Sequence, residues 1–153
     1  MKKKRIYAFF IGVSLAIGIA AALLTSGNMD IYNSIKTPPL SPPSILFPIV
    51  WSALYILMGI SAARVFIAKN NGNTALAVWS AQLAVNFFWS IIFFNFQAFL
   101  FAFIWLLILW LLIIIMIFLF KKSDKIAAYL QLPYLLWVTF AGYLNFAIYL
   151  LNR

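Results

Sequence analysis

The chain has 153 residues, 67% hydrophobic and only 8% charged, with a formal charge of +9. Soluble domains sit near ~45–50% apolar and ~25% charged, and a soluble fold of this length leaves too much surface exposed to hide such a composition, so lipid must be the solvent for most of it. Cysteine and histidine are absent and the only acids are Asp30 and Asp124, which excludes disulfides, thiol nucleophiles, zinc sites, histidine acid–base chemistry and paired-carboxylate mechanisms.

Five apolar segments can be marked in chain order, at about residues 6–26, 45–68, 75–95, 99–120 and 126–151. Each is long enough for a helix that crosses the hydrocarbon core, which takes ~20 residues. The short alternating segments of a membrane β-barrel are not visible. The expected fold is therefore all-α: an integral membrane five-helix bundle in a single domain over residues 1–153. The first segment follows Lys2-Lys3-Lys4-Arg5. A basic start before an apolar run also describes a signal peptide, but the run is long for that, and it reads as the first span.

The connection after it, about residues 27–44, is the odd one, because the other loops are only a few residues long. It carries Pro38, Pro39, Pro42 and Pro43, with Pro48 just inside the next span. Prolines fix φ and remove donors, so this stretch should be stiff and extended. A long loop over a bundle reads either as a lid or as a solvated tether. Tyr32, Ile35, Leu40 and Phe47 favour a loop that packs.

The second span carries Trp51, Tyr55 and Met58 on one stripe. The third follows the turn residues Asn70-Asn71-Gly72-Asn73 and places Gln82, Asn86 and Ser90 on one face at i, i+4 steps. Amides in hydrocarbon are costly unless paired. That face must look inward, either to other helices or to a polar ligand group, and Asn145 in the fifth span is a candidate partner. The fourth span ends at Lys121-Lys122. The fifth carries Pro133, Trp137 and Ala141 on one stripe, and Pro133 should break or loosen that helix. Trp79, near a span end, fits the interfacial belt of tryptophans, whereas Trp51 and Trp137 lie deeper. An aromatic-lined cavity under the proline loop, sized for a flat ligand, competes with simple packing against lipid. Small residues line up as Gly12, Ala16, Ala20 and as Ala77, Ala81, Ala84, suiting either internal packing or a homodimer.

If the spans alternate, nine bases fall at one end of the bundle and only Lys36 and Arg153 at the other. The positive-inside rule then predicts the N-terminus on the cytoplasmic side and the C-terminus outside. The bases cap apolar runs and form no continuous stripe, so nucleic acid is not an expected partner.

Several motifs together carry a resemblance. They are Tyr32…Pro38…Pro42-Pro43…Phe47-Pro48…Trp51, then Leu54-Tyr55…Met58-Gly59 and Arg64, then Gln82-Leu83…Asn86…Trp89-Ser90…Phe93-Phe94, and finally Pro133-Tyr134-Leu135…Trp137…Phe140-Ala141…Tyr143-Leu144-Asn145. Over nearly its whole length the chain resembles the translocator protein family, also called tryptophan-rich sensory proteins (TspO/MBR). The resemblance implies a helical bundle, often a homodimer, whose pocket opens beneath the loop between the first two helices. It implies porphyrins such as protoporphyrin IX or haem as ligands, or another apolar small molecule, with membrane lipid around the chain and no obligatory cofactor. Carried over residue by residue, it makes Tyr32, Trp51, Asn86, Trp89, Trp137, Ala141 and Leu144 the ligand-binding positions. Some bacterial members promote light-dependent porphyrin breakdown, and the resemblance lends Trp51 and Trp137 a photo-redox role. Facilitated movement of porphyrins or lipids is the other function it implies. The chain departs from many bacterial members at Ile31, Pro39 and Leu40, where they carry tryptophan at or beside the loop, so its loop is less aromatic.

Overall fold

The computed structural model describes residues 2–70 and 72–153; Asn71, read above as a turn residue, lies outside them. Among the described residues the helices are α1 (Lys3–Thr25), α2 (Ile31–Ser34), α3 (Leu46–Ala68), α4 (Gly72–Ser90), α5 (Phe99–Ser123), α6 (Lys125–Leu130) and α7 (Leu132–Asn152). A 3-10 turn, Ser26–Asn28, extends α1, and a π-helical turn, Ile91–Asn95, extends α4. Five of the resulting rods are long and apolar enough to cross a membrane, with 23 to 28 residues each. At 1.5 Å per residue they measure roughly 35–42 Å against a ~30 Å hydrocarbon core. The protein is an all-α, integral, multi-pass membrane protein.

The spans form a ring in the order α1, α3, α6–α7, α5, α4, and α4 closes back on α1. The first apolar run is thus a full member of the bundle. Its contact with α3 is unusually close. A Cβ built on Gly59 would lie 2.4 Å from the Ile11 Cα, and one on Gly18 would lie 2.5 Å from the Tyr55 ring. Only glycine lets the two helices approach that far.

Packing is uneven along the membrane normal. Met58, Ala62, Ala63, Val65, Ile113, Met116 and Phe120 are fully buried, and all lie in the halves of α3 and α5 nearer the lysine-rich end. Trp79 belongs to this core. It is 4% exposed, and its indole N–H donates to the Met58 carbonyl at 3.2 Å. That corrects the reading of Trp79 as a belt residue: a backbone carbonyl has a second lone pair to offer, so the ring can sit inside with its N–H satisfied. Trp105 and Trp110 likewise bolt helices together, donating to the Val85 carbonyl (2.7 Å) and to the Thr139 hydroxyl (2.9 Å).

The fifth span is two helices. The chain turns at Gln131, and α7 restarts with Pro133 in its first turn, where a missing N–H costs nothing. The break expected from Pro133 is present, and it matters for the site. Below it, α6 packs against α3; above it, the α7 and α3 backbones separate and are bridged by aromatic side chains.

At the lysine-rich end, Asp124 caps α6 by accepting from the Ala127 N–H at 3.0 Å. It also pairs with Arg64 of α3 at 2.9 Å. Burial alone would raise the Asp124 carboxyl, but the Ala127 amide and the Arg64 guanidinium outweigh it and hold it below the ordinary value of 3.8. A depressed carboxyl stabilises the fold above its unfolded value and ceases to do so as pH falls through the folded one. Both partners are partly exposed, so the pair contributes at most about 1 kcal/mol. Asp124→Asn, which keeps the cap and removes the charge, should be less stable than wild type at pH 7. The gap should close below about pH 4. Thermal unfolding at both pH values checks this, and a gap that persists in acid counts against it.

Candidate functional site

Because α3 and α7 diverge above Gln131, the loop half of the bundle contains a cavity of about 450 Å³. Its walls come from α1 (Leu15, Gly18, Ala22), α3 (Trp51, Tyr55), the end of α4 with its π turn (Trp89, Ser90, Phe93) and α7 (Trp137, Ala141, Leu144). Tyr32 and Phe47 roof it, and Asp30 and Asn33 stand at the mouth. Ile19 of α1 and Ile45 beside the start of α3 line the cavity and are also well exposed on the outside of the bundle. The space is therefore open at its edge beside these residues.

The roof is tied down at several points. The Tyr32 hydroxyl donates to the Pro42 carbonyl at 2.9 Å. The Tyr143 hydroxyl donates to the Pro39 carbonyl at 2.9 Å. Asn152 at the end of α7 accepts from the Lys36 N–H (3.0 Å) and donates to the Lys36 carbonyl (2.8 Å). On the other flank the Asn28 and Asn95 amides pair at 2.9 Å, and Asn95 reaches the Leu24 carbonyl at 3.1 Å. Burial pushes the Tyr32 phenol above its ordinary value, against a smaller opposing effect of Ser41, so it remains a donor. The loop packs through Tyr32, Ile35 and Phe47 and is not a solvated tether, but Leu40, expected to pack with them, is 83% exposed.

Aromatic rings run through the site in contact. Tyr32 meets Phe47 at 5.0 Å and Phe47 meets Trp137 at 5.8 Å, both edge-on. Trp51 lies 5.8 Å from Tyr55 and 6.2 Å from Tyr134. Trp89 lies 5.3 Å from Phe93. Offset and edge-to-face pairs of this kind hold ring orientation and present flat faces to the space between them. The Trp137 indole N–H is buried and has no acceptor among the described residues.

Of the seven positions named from the sequence, Tyr32, Trp51, Trp89, Trp137, Ala141 and Leu144 line the cavity. Asn86 does not. It lies one layer below, fully buried, and donates to the Tyr134 hydroxyl at 2.9 Å. Tyr134 in turn donates to the Gln82 carbonyl at 2.6 Å. The inward polar face of α4 is thus spent on the floor of the cavity, as interhelical bonding, and only Ser90 at its top reaches the space. Asn145 does not join that face. It accepts from the Trp89 N–H at 3.1 Å and donates to the Phe99 carbonyl at 2.8 Å, which locks the Trp89 ring. The residues missed are Tyr134, whose hydroxyl holds both amides of the floor, and Asp30, which brings the wall its charge. Ala77, Ala81 and Ala84 face outward on α4, so their spacing does not serve internal packing.

The TspO/MBR family model matches residues 10–151. Protein CrtK of Rhodobacter capsulatus is 39% identical over 96% of this chain and 92% of its own length. The tryptophan-rich protein TspO of Chlorobaculum tepidum is 38% identical over 95% of this chain and 94% of its own. A tryptophan-rich sensory protein of Cereibacter sphaeroides is 34% identical over 95% of this chain and 92% of its own.

Proposed function

The chain belongs to the TspO/MBR family, and on that footing we propose that it is a membrane-embedded sensor or regulator that binds a tetrapyrrole, such as protoporphyrin IX or haem, in the cavity beneath the proline loop. The observation that carries the reading is the pair of indoles Trp51 and Trp137, on two helices whose backbones separate, lining one cavity. A flat macrocycle between such rings gains stacking and sheds water or lipid from both faces. The size of the space supports occupancy. Sealed and dry, a void of about 450 Å³ would cost roughly 10 kcal/mol, as much as the whole stability of a typical domain. It is not sealed: Asp30 and Asn33 leave a mouth open to solvent, so water, a lipid tail or a ligand can occupy it.

The packed half around Met58, Ile113 and Phe120 supports binding over passage, because the cavity ends on a dense floor. We orient the N-terminus to the cytoplasm, following the positive-inside bias of the lysine-rich end, and assign the outward face of Ala77, Ala81 and Ala84 to a second copy in a homodimer.

The test is a titration of tryptophan fluorescence with protoporphyrin IX in nonionic detergent. Wild type should quench saturably. Trp51→Phe combined with Trp137→Phe should weaken binding about tenfold, since each aromatic pair contributes ~0.5–1.5 kcal/mol. Quenching that never saturates, or an unchanged dissociation constant in the double variant, overturns the proposal. Light-dependent breakdown of the bound porphyrin would run through the same indoles, and it is read as loss of porphyrin absorbance on illumination in wild type but not in the double variant.

A further inference from the structure

The charge of the chain is gathered at one end of the bundle. Lys2–Arg5 lead into the first turn of α1, Lys69 ends α3, Lys121 and Lys122 lie in the last turn of α5, and Lys125 opens α6. Three contacts bring these helix ends to one level. The Phe10 and Phe66 rings meet at 5.6 Å, the Ser123 hydroxyl donates to the Asn70 carbonyl, and Arg64 pairs with Asp124. All eight of these bases are exposed, and none enters an ion pair among the described residues. The one acid at this level, Asp124, is already engaged by Arg64 and by the Ala127 N–H. The positive charge of this end therefore stands uncompensated.

The helices themselves gain little from it. Lys3, Lys4, Arg5 and Lys125 sit in first helical turns, at the positive end of the helix dipole, where a base is unfavourable. Only Lys121 and Lys122 suit the helix end they occupy. One turn deeper, on the same helix faces, stand exposed rings. Phe9 follows Arg5 by four residues, Phe118 precedes Lys122 by four, and Tyr129 follows Lys125 by four. Each ring lies about 6 Å further into the membrane than its base. Three helices thus repeat one arrangement, a cation at the head-group level over a ring at the level of the first acyl carbons. A phospholipid with an anionic head group matches both parts. A soluble acidic protein would meet the charges and leave the rings unused. Attraction of this kind depends on the number of charges and their depth, so it needs no fixed side-chain pose.

We propose that the lysine-rich end is a docking surface for anionic phospholipid, with the head group held by the bases and the acyl chains laid along Phe9, Phe118 and Tyr129. The corner between α5 and α6, where Lys121, Lys122 and Lys125 fall close together in the chain, binds most strongly. This surface is separate from the cavity and does not depend on what the cavity holds.

Native mass spectrometry of the full chain in nonionic detergent tests this. The probes are dioleoyl phosphatidylglycerol and dioleoyl phosphatidylcholine, which share acyl chains and differ in net charge. Wild type should bind phosphatidylglycerol at least about fivefold more tightly, the equivalent of ~1 kcal/mol for a base near an anionic surface. The preference should shrink as salt rises from about 50 mM to about 500 mM, because exposed charges are screened. Lys121→Gln, Lys122→Gln and Lys125→Gln together should bring the two lipids to within about twofold of each other. Lys36→Gln with Arg153→Gln, at the opposite end, should leave the ratio unchanged. Phe118→Ala with Tyr129→Ala should weaken both lipids alike. All these positions are exposed, and melting temperatures close to wild type show that the fold is intact. Equal binding of the two lipids by wild type, or an unchanged ratio in the triple lysine variant, overturns the proposal. So does displacement of the lipid by an equal concentration of glycerophosphoglycerol, the same head group without acyl chains, which would point to a soluble anionic partner instead.

Discussion

Replacing Gly59 by alanine will lower the unfolding temperature of the protein by about 10 °C, although alanine is the better helix former by ~1 kcal/mol. The added methyl carbon would sit 2.4 Å from the Ile11 Cα and 2.7 Å from the Ile11 nitrogen. These are backbone atoms of α1 and cannot turn aside as a side-chain tip would. Either α1 moves off α3 or the new carbon is compressed. Overpacking of a side chain costs about 1–3 kcal/mol, and a backbone clash belongs at the upper end, about 3 kcal/mol. Gly12→Ala is the control. Nothing lies within 4 Å of a Cβ at that position, so only the propensity gain remains. Thermal unfolding in detergent should show Gly12→Ala at or above wild type and Gly59→Ala well below it. Equal melting of all three proteins would mean that the close approach of α1 and α3 does not hold the bundle.

The next largest effect is expected at Tyr134. Its hydroxyl is the shared partner of two buried amides, donating to Gln82 at 2.6 Å and accepting from Asn86 at 2.9 Å. Tyr134→Phe removes one oxygen and strands both. An unsatisfied buried polar group costs about 1–3 kcal/mol, and interhelical bonds in membranes contribute roughly 0.6–2 kcal/mol each. A loss of about 2–3 kcal/mol is therefore expected. The informative companion is the triple variant Gln82→Leu, Asn86→Leu, Tyr134→Phe. It removes donors and acceptors together, so most of the stability should return. A single variant as stable as wild type, or a triple variant no better than the single, would show that the trio is not the floor of the cavity.

Much of this fold was legible because lipid imposes simple rules. Five runs of more than twenty apolar residues must be helices, and their borders in sequence match the observed spans to within a few residues, except where Lys3–Arg5 join α1. Pro133 marked the split in the fifth span, since a residue without an N–H belongs in a first turn. The stripes holding Trp51 and Trp137 marked two walls of the cavity. Pairing was the part that could not be read. Gln82, Asn86 and Ser90 announced an inward face, but nothing in one helix says that the partner is Tyr134, forty-eight residues beyond Asn86. The same gap sent Asn145 to the wrong partner and Trp79 to the wrong environment. A tryptophan near a span end can anchor at the head groups or turn inward, and the choice depends on a free carbonyl elsewhere, that of Met58. The π turn at Ile91–Asn95 left no trace in the pattern, because Ile91–Phe94 are all apolar and one extra residue among them changes no periodicity.

The joint at Gln131 divides more than a helix. Everything beneath it is frame: the Arg64–Asp124 clasp, the Met58–Phe120 core and the α3–α6 seam. Everything that would touch a guest hangs above it. Changes separated by more than ~7–10 Å with no shared partner act almost independently. A lineage carrying such a bundle is free to rewrite its upper storey for a new guest while inheriting the foundation unaltered.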